Sequence, residues 1–252
     1  MPPLAFFSYG MTKCGTTLAF ELTRTALLEA GIAQESIPFT GDAPRRINFI
    51  PDLTEKRAAD IRRAREGVSA PVVIKTHGRP SPTMVTWVET GEGTGHAIFR
   101  DLRDMALSML DAGRHAREAG RPAFSEIHTL EDACTGIANQ LDSLSAWLQL
   151  PGIRPLQYER FASDTETGAA EILTQLGLAG NPRRIARKVA RADKTLRNKA
   201  IPERHRQELS AAESRAIQSR FAPFYDILFD KPDVALPLPP GTDFKAPQNV
   251  EL

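Results

Sequence analysis

The sequence predicts a single α/β domain, in which a central parallel β-sheet is flanked by helices on both faces. Three observations predict this class. Short apolar segments alternate along the chain with longer amphipathic segments. The connections between the apolar segments are long enough for the crossovers that parallel strands require. The composition, with 41% hydrophobic and 25% charged residues in a chain of 252, is typical of one globular domain with a large core.

The predicted strands are short apolar runs bounded by glycine, proline or polar residues. Pro155 lies in the last run and predicts an edge or irregular strand, because proline cannot donate a hydrogen bond to a central ladder. The four runs are residues 4–9, 71–77, 96–100 and 153–158.

The predicted helices have apolar residues at the spacing of one helix face. In the first helix, Leu18, Leu22 and Ala26 recur at every fourth position. Residues 32–53 and 78–95 contain several glycines and prolines and are predicted to be loops. The helices cover residues 17–30, 54–67, 103–119, 126–150, 166–177, 182–192 and 210–220.

Composition also restricts the extent of the domain and the class of protein. Residues 1–232 are predicted to form the domain, and the proline-rich residues 233–252 an extended C-terminal tail. The net charge is +1, so we expect no nucleic-acid partner and only a local anion site. Two cysteines are too few for a disulfide framework. No run approaches the ~18 apolar residues of a membrane span, and the first residues lack a signal-peptide pattern, so we expect a cytoplasmic protein.

The segment 8-SYGMTKCGTTL-18 connects the first predicted strand to the first predicted helix, with Gly10 and Gly15 five residues apart. A glycine-rich loop at this place can bind a phosphate, because the N–H groups of a helix N-terminus lack partners within the helix. Enzymes that use nucleotide triphosphates carry GxxxxGK[ST], with the lysine after the second glycine. Here Lys13 precedes Gly15, which puts its ammonium group nearer the bond being broken. No obvious aspartate-bearing apolar strand offers a metal ligand, so the loop suits a donor that needs no magnesium, such as a phosphosulfate.

Further basic residues lie at the ends of the second and third predicted strands. Lys75 and His77 end one strand, and Arg100 ends the other. The carboxyl ends of parallel strands lie at one edge of a sheet, where ligands bind. Lys75 and His77 are two residues apart and therefore point in the same direction from their strand.

Four segments together resemble the sulfotransferases that use 3′-phosphoadenosine 5′-phosphosulfate (PAPS). TKCGTT resembles their P-K-[ST]-G-T-T loop, and VVIKTHGRP is similar to their K-T-H strand end. FRDLRDMALSML resembles their R-N-x-R-D-x-x-x-S element, and LQYERFASD their Y-E-D-L/F-x-x-D strand end. The four segments occur in the order of that family, from residue 12 to residue 164. The resemblance implies a P-loop-like phosphosulfate-binding loop, PAPS as the donor, its product PAP as a ligand, and no metal.

The resemblance also implies roles for individual residues. The catalytic residues are His77 as the base that accepts the acceptor's proton, Lys13 at the bridging oxygen of the donor, and Lys75 at the sulfuryl oxygens. Tyr158 contacts the adenine, and Arg100 and Ser108 bind the 3′-phosphate. The full implied donor-binding set is Lys13, Cys14, Gly15, Thr16, Thr17, Arg100, Ser108, Tyr158, Arg197 and Lys199.

Several positions depart from the family pattern. Thr12 stands before Lys13 where the family often has proline. Cys14 replaces serine or threonine, and a helix N-terminus beside a lysine is expected to lower its thiol pKa and make it sensitive to oxidation. Asp101 replaces asparagine and is expected to point away from the phosphate. The C-terminal R-K-G phosphate clamp has only Arg197 and Lys199 as substitutes, with no glycine after them.

The predicted function is sulfuryl transfer from PAPS to a hydroxyl, or an amine, by in-line transfer without a metal. Two alternatives stay open: a magnesium-dependent kinase or other nucleotide-triphosphate enzyme with the same loop, and a nucleotide-binding relative without activity. The expected acceptor is a small molecule or a glycan-like hydroxyl compound. Arginines at 45–46 and within 57–65 favour an acidic or sugar-like acceptor, and Trp87 either lines its pocket or packs in the core. The sequence does not predict an oligomeric state.

Overall fold

Four parallel strands form one sheet at the centre of the domain. The computed structural model describes residues 3–34, 36–38, 48–66, 68, 70–191, 203–231 and 234–246. The strands are β1 (Ala5–Gly10), β2 (Val72–Thr76), β3 (Gly93–Phe99) and β4 (Ile153–Gln157). Their order in space is β2-β1-β3-β4, and every pair is parallel. The predicted parallel sheet is confirmed, and Pro155 lies on an edge strand as expected.

Each predicted helix has a counterpart in the structure, but the shorter helices at Pro82–Glu89, Tyr158–Ser163, His205–Glu208 and Ala222–Phe224 were not predicted. Thr54 begins the helix at Glu55–Arg65 as its N-cap, where its side chain accepts a hydrogen bond from the backbone N–H of Arg57. The helices are α1 (Thr16–Glu29), α2 (Glu55–Arg65), α3 (Pro82–Glu89), α4 (Leu102–Glu118), α5 (Leu130–Leu148), α6 (Tyr158–Ser163), α7 (Thr165–Leu176), α8 (Pro182–Arg191), α9 (His205–Glu208), α10 (Ala211–Arg220) and α11 (Ala222–Phe224), followed by a π-helical turn at Tyr225–Phe229.

Helices cover both faces of the sheet, and the alternation of side chains along β1 shows how. Phe7 and Tyr9 point to one face, where their rings lie 5.1 and 5.6 Å from the ring of Trp147 in α5. Phe6 points to the other face and packs in a cluster with Phe20 of α1. The period of two along a strand therefore explains why β1 is buried on both sides.

The strand register aligns the C-terminal halves of β1, β2 and β3 side by side. Ser8 of β1 pairs with Lys75 of β2 on one side and with His96 of β3 on the other. The chain leaves β1 toward β2 but places β3 on the opposite side of β1, so the strand order reverses between β1 and β3. In open α/β sheets, ligands bind beyond the carboxyl ends of the strands at such a point.

One predicted loop was wrong. Residues 78–95 include helix α3, whose N-cap Ser81 accepts from the N–H of Met84 and whose first residue is Pro82. Serine followed by proline is a helix-start signal, because proline fits the first helical position without losing a hydrogen bond. Trp87 lies on this helix at 1% exposure, so it packs in the core and does not line a pocket. Strand β3 also begins earlier than predicted, at Gly93.

The last described segment, residues 234–246, contains no helix or strand and packs against the domain. The N–H of Leu238 donates to the carbonyl of Leu148, the last residue of α5, at 2.9 Å. Phe244 is buried, with its ring 6.0 Å from the ring of Phe224. This segment therefore covers the outer side of α5 and the helical turns near the C-terminus.

Candidate active site

The loop between β1 and α1 has the geometry of an anion-binding turn. Lys13 and Gly15 both have left-handed backbone angles, with φ of 66° and 74°. At Gly15, glycine is favoured both by this backbone angle and by the lack of space, since a Cβ there would lie 2.5 Å from the ring of Tyr158. A short loop that contains residues in the left-handed conformation can direct successive backbone N–H groups toward one point, where they bind an anion.

The N-terminus of α1 lacks the caps that the other long helices have. Gly15 occupies its N-cap position, no described side chain caps it, and its first turn has no acidic residue. Helices α2, α3 and α5, by contrast, are capped by the side chains of Thr54, Ser81 and Thr129. The orphan N–H groups and the helix dipole of α1 therefore remain available to an anion.

Cys14 faces the interior of the protein, away from this turn. Its side chain is at 0% exposure, and its Sγ lies 3.7 Å from Sδ of Met105 and 3.6 Å from the carbonyl oxygen of Thr12. Burial raises the pKa of the thiol, which outweighs the opposing effect of the positive charge on Arg100. The expectation of a lowered thiol pKa and sensitivity to oxidation was therefore wrong, because desolvation of the thiolate dominates.

His77 and Lys75 are attached to this turn from the neighbouring strand. Nδ1 of His77 lies 2.6 Å from the carbonyl oxygen of Gly10, and Nζ of Lys75 donates to Oγ1 of Thr17 at 2.8 Å. A carbonyl can only accept, so Nδ1 of His77 carries the proton and Nε2 holds the lone pair. Burial, together with the positive charge on Lys75, lowers the pKa of His77 to about 4. The imidazole is therefore neutral near pH 7 and can accept a proton at Nε2.

Two partly buried phenylalanine rings lie beside the three candidate catalytic groups. Phe49 has its ring 5.5 Å from the ring of His77, and Nζ of Lys75 lies 5.1 Å from the centroid of Phe49. Nζ of Lys13 lies 5.5 Å from the centroid of Phe124. Burial lowers the pKa of Lys13, while the carboxylate of Asp111 opposes that shift. Both phenylalanines were missed in the sequence, because a single apolar residue in a predicted loop carries no periodic signal.

Arg100 is held at the end of β3 by three neighbours. Its Nη1 donates to the carbonyl of Lys13 at 3.3 Å, and its Nη2 donates to Oδ2 of Asp104 at 3.2 Å. The guanidinium carbon lies 4.5 Å above the ring of Tyr158. Nε of Arg100 is buried and has no hydrogen-bond partner in the described part of the protein. The structure therefore brings Arg100 and Tyr158 together with the Lys13 loop.

The side chain of Asp101 contacts Arg103 and Tyr225, and the expectation that it points away from the 3′-phosphate stays a prediction. Its carboxylate pairs with Arg103 at 2.6 Å and accepts a hydrogen bond from the hydroxyl of Tyr225 at 3.0 Å. Ser108 is buried on α4, two helical turns beyond Arg100. Asp101 thus belongs to the packing of α4 against the C-terminal helices.

Glu159, the residue after Tyr158, is partly buried beside Arg100 and Asp101. Its Oε1 accepts from the backbone N–H of Asp101 at 2.9 Å, and its Oε2 is buried without a partner among the described residues. Burial raises the pKa of Glu159 to about 7, against the opposing effects of the backbone hydrogen bond and the nearby charge of Arg100. A carboxyl group that titrates this close to neutrality beside Arg100 was not predicted from the sequence.

Some predicted residues cannot be compared with the structure. Arg197, Lys199 and the arginines at 45–46 lie outside the described residues. Within α2, Arg62 pairs with Glu92, and Arg63 pairs with Asp60. Among the side chains that the structure describes, no group of three or more His, Cys, Asp or Glu could hold a metal ion. No helix in the described ranges combines the length and the apolar composition that a bilayer crossing requires.

Comparison with solved structures identifies the fold. The chain is similar to mouse sulfotransferase SULT7A1 complexed with PAP, with a TM-score of 0.59 and 13% identity over 90% of this chain and 85% of that one. It is also similar to retinol dehydratase in complex with androsterone and the inactive cofactor PAP, with a TM-score of 0.52 and 16% identity over 86% of this chain and 79% of that one. No protein-family model matches the sequence, and no curated protein matches it. The sulfotransferase fold predicted from the four motifs is confirmed.

Proposed function

We propose that this protein is a sulfotransferase that transfers a sulfuryl group from PAPS to a hydroxyl, or an amine, of a small-molecule or glycan-like acceptor. The observation that carries the proposal is that two candidate catalytic side chains at the end of β2 are hydrogen-bonded to the last residue of β1 and to the first turn of α1. His77 is hydrogen-bonded to Gly10, and Lys75, two residues earlier, is hydrogen-bonded to Thr17. A neutral base and an ammonium group therefore lie together at the turn that suits an anion.

The residues at the turn fit an adenosine phosphosulfate. The uncapped N-terminus of α1 suits the 5′-phosphate, and the buried Nε of Arg100 offers a donor for a second phosphate. The ring of Tyr158, which covers both Gly15 and the guanidinium group of Arg100, offers a surface for a purine. Retinol dehydratase and mouse SULT7A1 were both solved with PAP, which supports PAP as a ligand here.

PAPS, when bound, supplies an activated sulfuryl group and a phosphate leaving group. Nε2 of His77 accepts the proton of the acceptor hydroxyl, because Nδ1 is committed to the carbonyl of Gly10. Lys13, mounted early in the turn, neutralises the charge that develops on the leaving phosphate. Lys75 holds Thr17 and provides a second ammonium group at the same edge. These two lysines supply positive charge of the kind that magnesium supplies in triphosphate enzymes.

The acceptor is proposed from the surroundings of His77 and Lys13. The partly exposed rings of Phe49 and Phe124 lie beside these two groups, so the proposed acceptor presents its hydroxyl on an apolar or partly apolar skeleton. The retinol dehydratase structure contains androsterone, a ligand of that protein, which agrees with this choice. The arginine argument for an acidic acceptor is weaker in the structure, because Arg62 and Arg63 pair with acidic residues.

Calorimetry and a turnover assay test the proposal. We expect PAP to bind without a metal ion, and ATP with magnesium to bind much more weakly. We then expect PAPS to be consumed with an acceptor panel that includes a phenol, a steroid alcohol and a sugar. Lys13→Ala should abolish turnover, and Lys231→Ala, which removes an exposed lysine, serves as the matched control. Binding of ATP and magnesium in preference to PAP would instead assign a kinase-type activity, and PAP binding without turnover would indicate an inactive relative.

A further inference from the structure

Asp104, in the first turn of α4, connects the candidate donor-binding Arg100 to His205, which lies 101 positions after Asp104 in the sequence. The carboxyl group is buried at 1% exposure. Its Oδ2 accepts from Nη2 of Arg100 at 3.2 Å. Its Oδ1 accepts from both the backbone N–H and Nδ1 of His205, each at 2.9 Å. Arg100, Asp104 and His205 therefore form a continuous chain of hydrogen bonds.

The protonation pattern of this chain follows from its chemistry. An ionised carboxylate can only accept hydrogen bonds, so Nδ1 of His205 is the ring nitrogen that carries a proton. Asp104 is thus satisfied by three donors, which a buried carboxylate requires. Loss of the Arg100 or the His205 side chain would remove one of these three donors and leave the carboxyl group less firmly oriented.

A separate contact fixes the helix that carries His205. The neighbouring Arg204 is also buried, and its guanidinium group pairs with Asp111 of α4 at 2.9 Å and with Glu208 of α9 at 2.7 Å. Helix α9 is therefore attached to α4 without the side chain of His205. The imidazole of His205 can be replaced while this second attachment stays in place.

The contacts of Arg100 leave one orientation for its guanidinium group. The carbonyl of Lys13, the carboxylate of Asp104 and the face of Tyr158 each restrict it from a different side. Nε is the atom that remains without a partner among the described residues. A guanidinium group recognises a phosphate through a fork of N–H groups, so its orientation decides how well it binds.

We propose that Asp104 and His205 are positioning residues that orient Arg100 for the 3′-phosphate of the donor. The inference rests on the proposed function, because it assigns a phosphate to Arg100. A role of Asp104 through its charge and a role through its position predict opposite effects of neutralising it on phosphate affinity. A carboxylate near a phosphate repels it, so if Asp104 acted by charge alone, its neutralisation would strengthen binding of the phosphate. If it acts by positioning, the same neutralisation weakens binding.

The test compares two ligands that differ in the phosphate that Arg100 is proposed to hold. PAP carries the 3′-phosphate, and adenosine 5′-monophosphate does not. We expect His205→Leu and Asp104→Asn to raise the Kd for PAP about tenfold and to leave the Kd for adenosine 5′-monophosphate unchanged. His205→Asn, which keeps an N–H donor near the place of Nδ1, should restore most of the affinity for PAP. Arg206→Ala, an exposed change in the same helix, is the matched control.

Partial unfolding would weaken the binding of PAP and of adenosine 5′-monophosphate alike. A rise in the ratio of the Kd for PAP to the Kd for adenosine 5′-monophosphate therefore reports the orientation of Arg100 and not general damage to the fold. Addition of Asp104→Asn to Arg100→Ala should cause no further loss of PAP affinity, since the two changes act on one contact. Equal loss of both ligands in the His205 and Asp104 variants, or unchanged binding of PAP, would overturn the inference. Failure of the unmodified protein to bind PAP would instead remove the proposed function, and the inference with it.

Discussion

Nδ1 of His77 lies 2.6 Å from the carbonyl oxygen of Gly10, so the candidate base is hydrogen-bonded to the first residue of the glycine frame. This one contact assigns the tautomer of His77, because a carbonyl oxygen requires a donor. It also relates the position of Nε2 to the turn that follows β1. The candidate base and the turn after β1 are therefore directly hydrogen-bonded, although they come from different strands.

The pH dependence of kcat/KM should report the lowered pKa of His77. Burial and the nearby ammonium group of Lys75 lower this pKa from 6.5 to about 4. The base is active when it is unprotonated, so we expect no acid limb from His77 between about pH 5 and 6.5, and a decline below about pH 4. The protein would be held at pH 7 and mixed briefly into each assay buffer. Glu159, with a pKa of about 7, could also titrate in this range, so an acid limb centred near pH 6.5 that persists in Glu159→Gln would contradict this. Exposed His115→Gln provides the control.

Lys13→Gly and Lys13→Ala should lose turnover alike but differ in stability. Both remove the ammonium group, and we expect kcat to fall about 100-fold or more, as when a group that stabilises developing charge is removed. The backbone φ of 66° at this residue disfavours a side chain with a Cβ, by about 1 kcal/mol relative to glycine. Urea unfolding should therefore show Lys13→Gly to be the more stable of the two. Equal free energies of unfolding would mean that the loop relaxes without strain.

Gly15→Ala should weaken PAP binding and destabilise the fold. An added Cβ would lie 2.5 Å from the ring of Tyr158, at a φ of 74° that L side chains rarely adopt. Thermal unfolding should show a lower Tm, and calorimetry a higher Kd for PAP. Gly15→Ala should lower the Tm less in a Tyr158→Ala background than in the unmodified chain, since the contact with the ring is already removed. An equal decrease in both backgrounds would locate the cost in the backbone angle instead of the ring contact.

Acid should destabilise the protein through its buried histidines. His96 is buried between Ser8 and Gln175, and burial lowers its pKa from 6.5 to about 4, the same value as His77. Between pH 6.5 and 4 the unfolded chain binds more protons at these residues than the folded one, so the free energy of unfolding falls as the pH falls. Each histidine contributes at most about 3 kcal/mol to this loss.

His96→Gln isolates that contribution. Urea unfolding at pH 6.5 and at pH 4 gives the loss of stability for each protein, and we expect a smaller loss in the variant than in the unmodified chain. His115→Gln, on the exposed part of α4, should show the unmodified loss. An unchanged loss in His96→Gln would mean that this histidine does not resist protonation in the folded state.

The glycine loop, the strand ends and the order of the four motifs were all predictable from the sequence. The fold was predictable too, because alternating strands and helices with long connections leave few arrangements other than a parallel sheet. Lys13, Lys75, His77, Arg100 and Tyr158 could be named as candidates because each stands at the end of a short apolar run. Ser108, which lies within α4, was implied only by the family resemblance. Backbone geometry there follows from local sequence, and so does the side of the sheet on which these ends meet.

Three features depended on tertiary structure. The direction of Cys14 is decided by which side of the turn meets the core, and this burial reversed the expected change in its thiol pKa. The tautomer of His77 is decided by the carbonyl of Gly10, 67 residues earlier in the chain. The contact of Asp104 with His205 joins residues 101 positions apart. Sequence patterns report neighbours along a helix or strand, whereas desolvation and hydrogen-bond partners depend on which distant segments pack together.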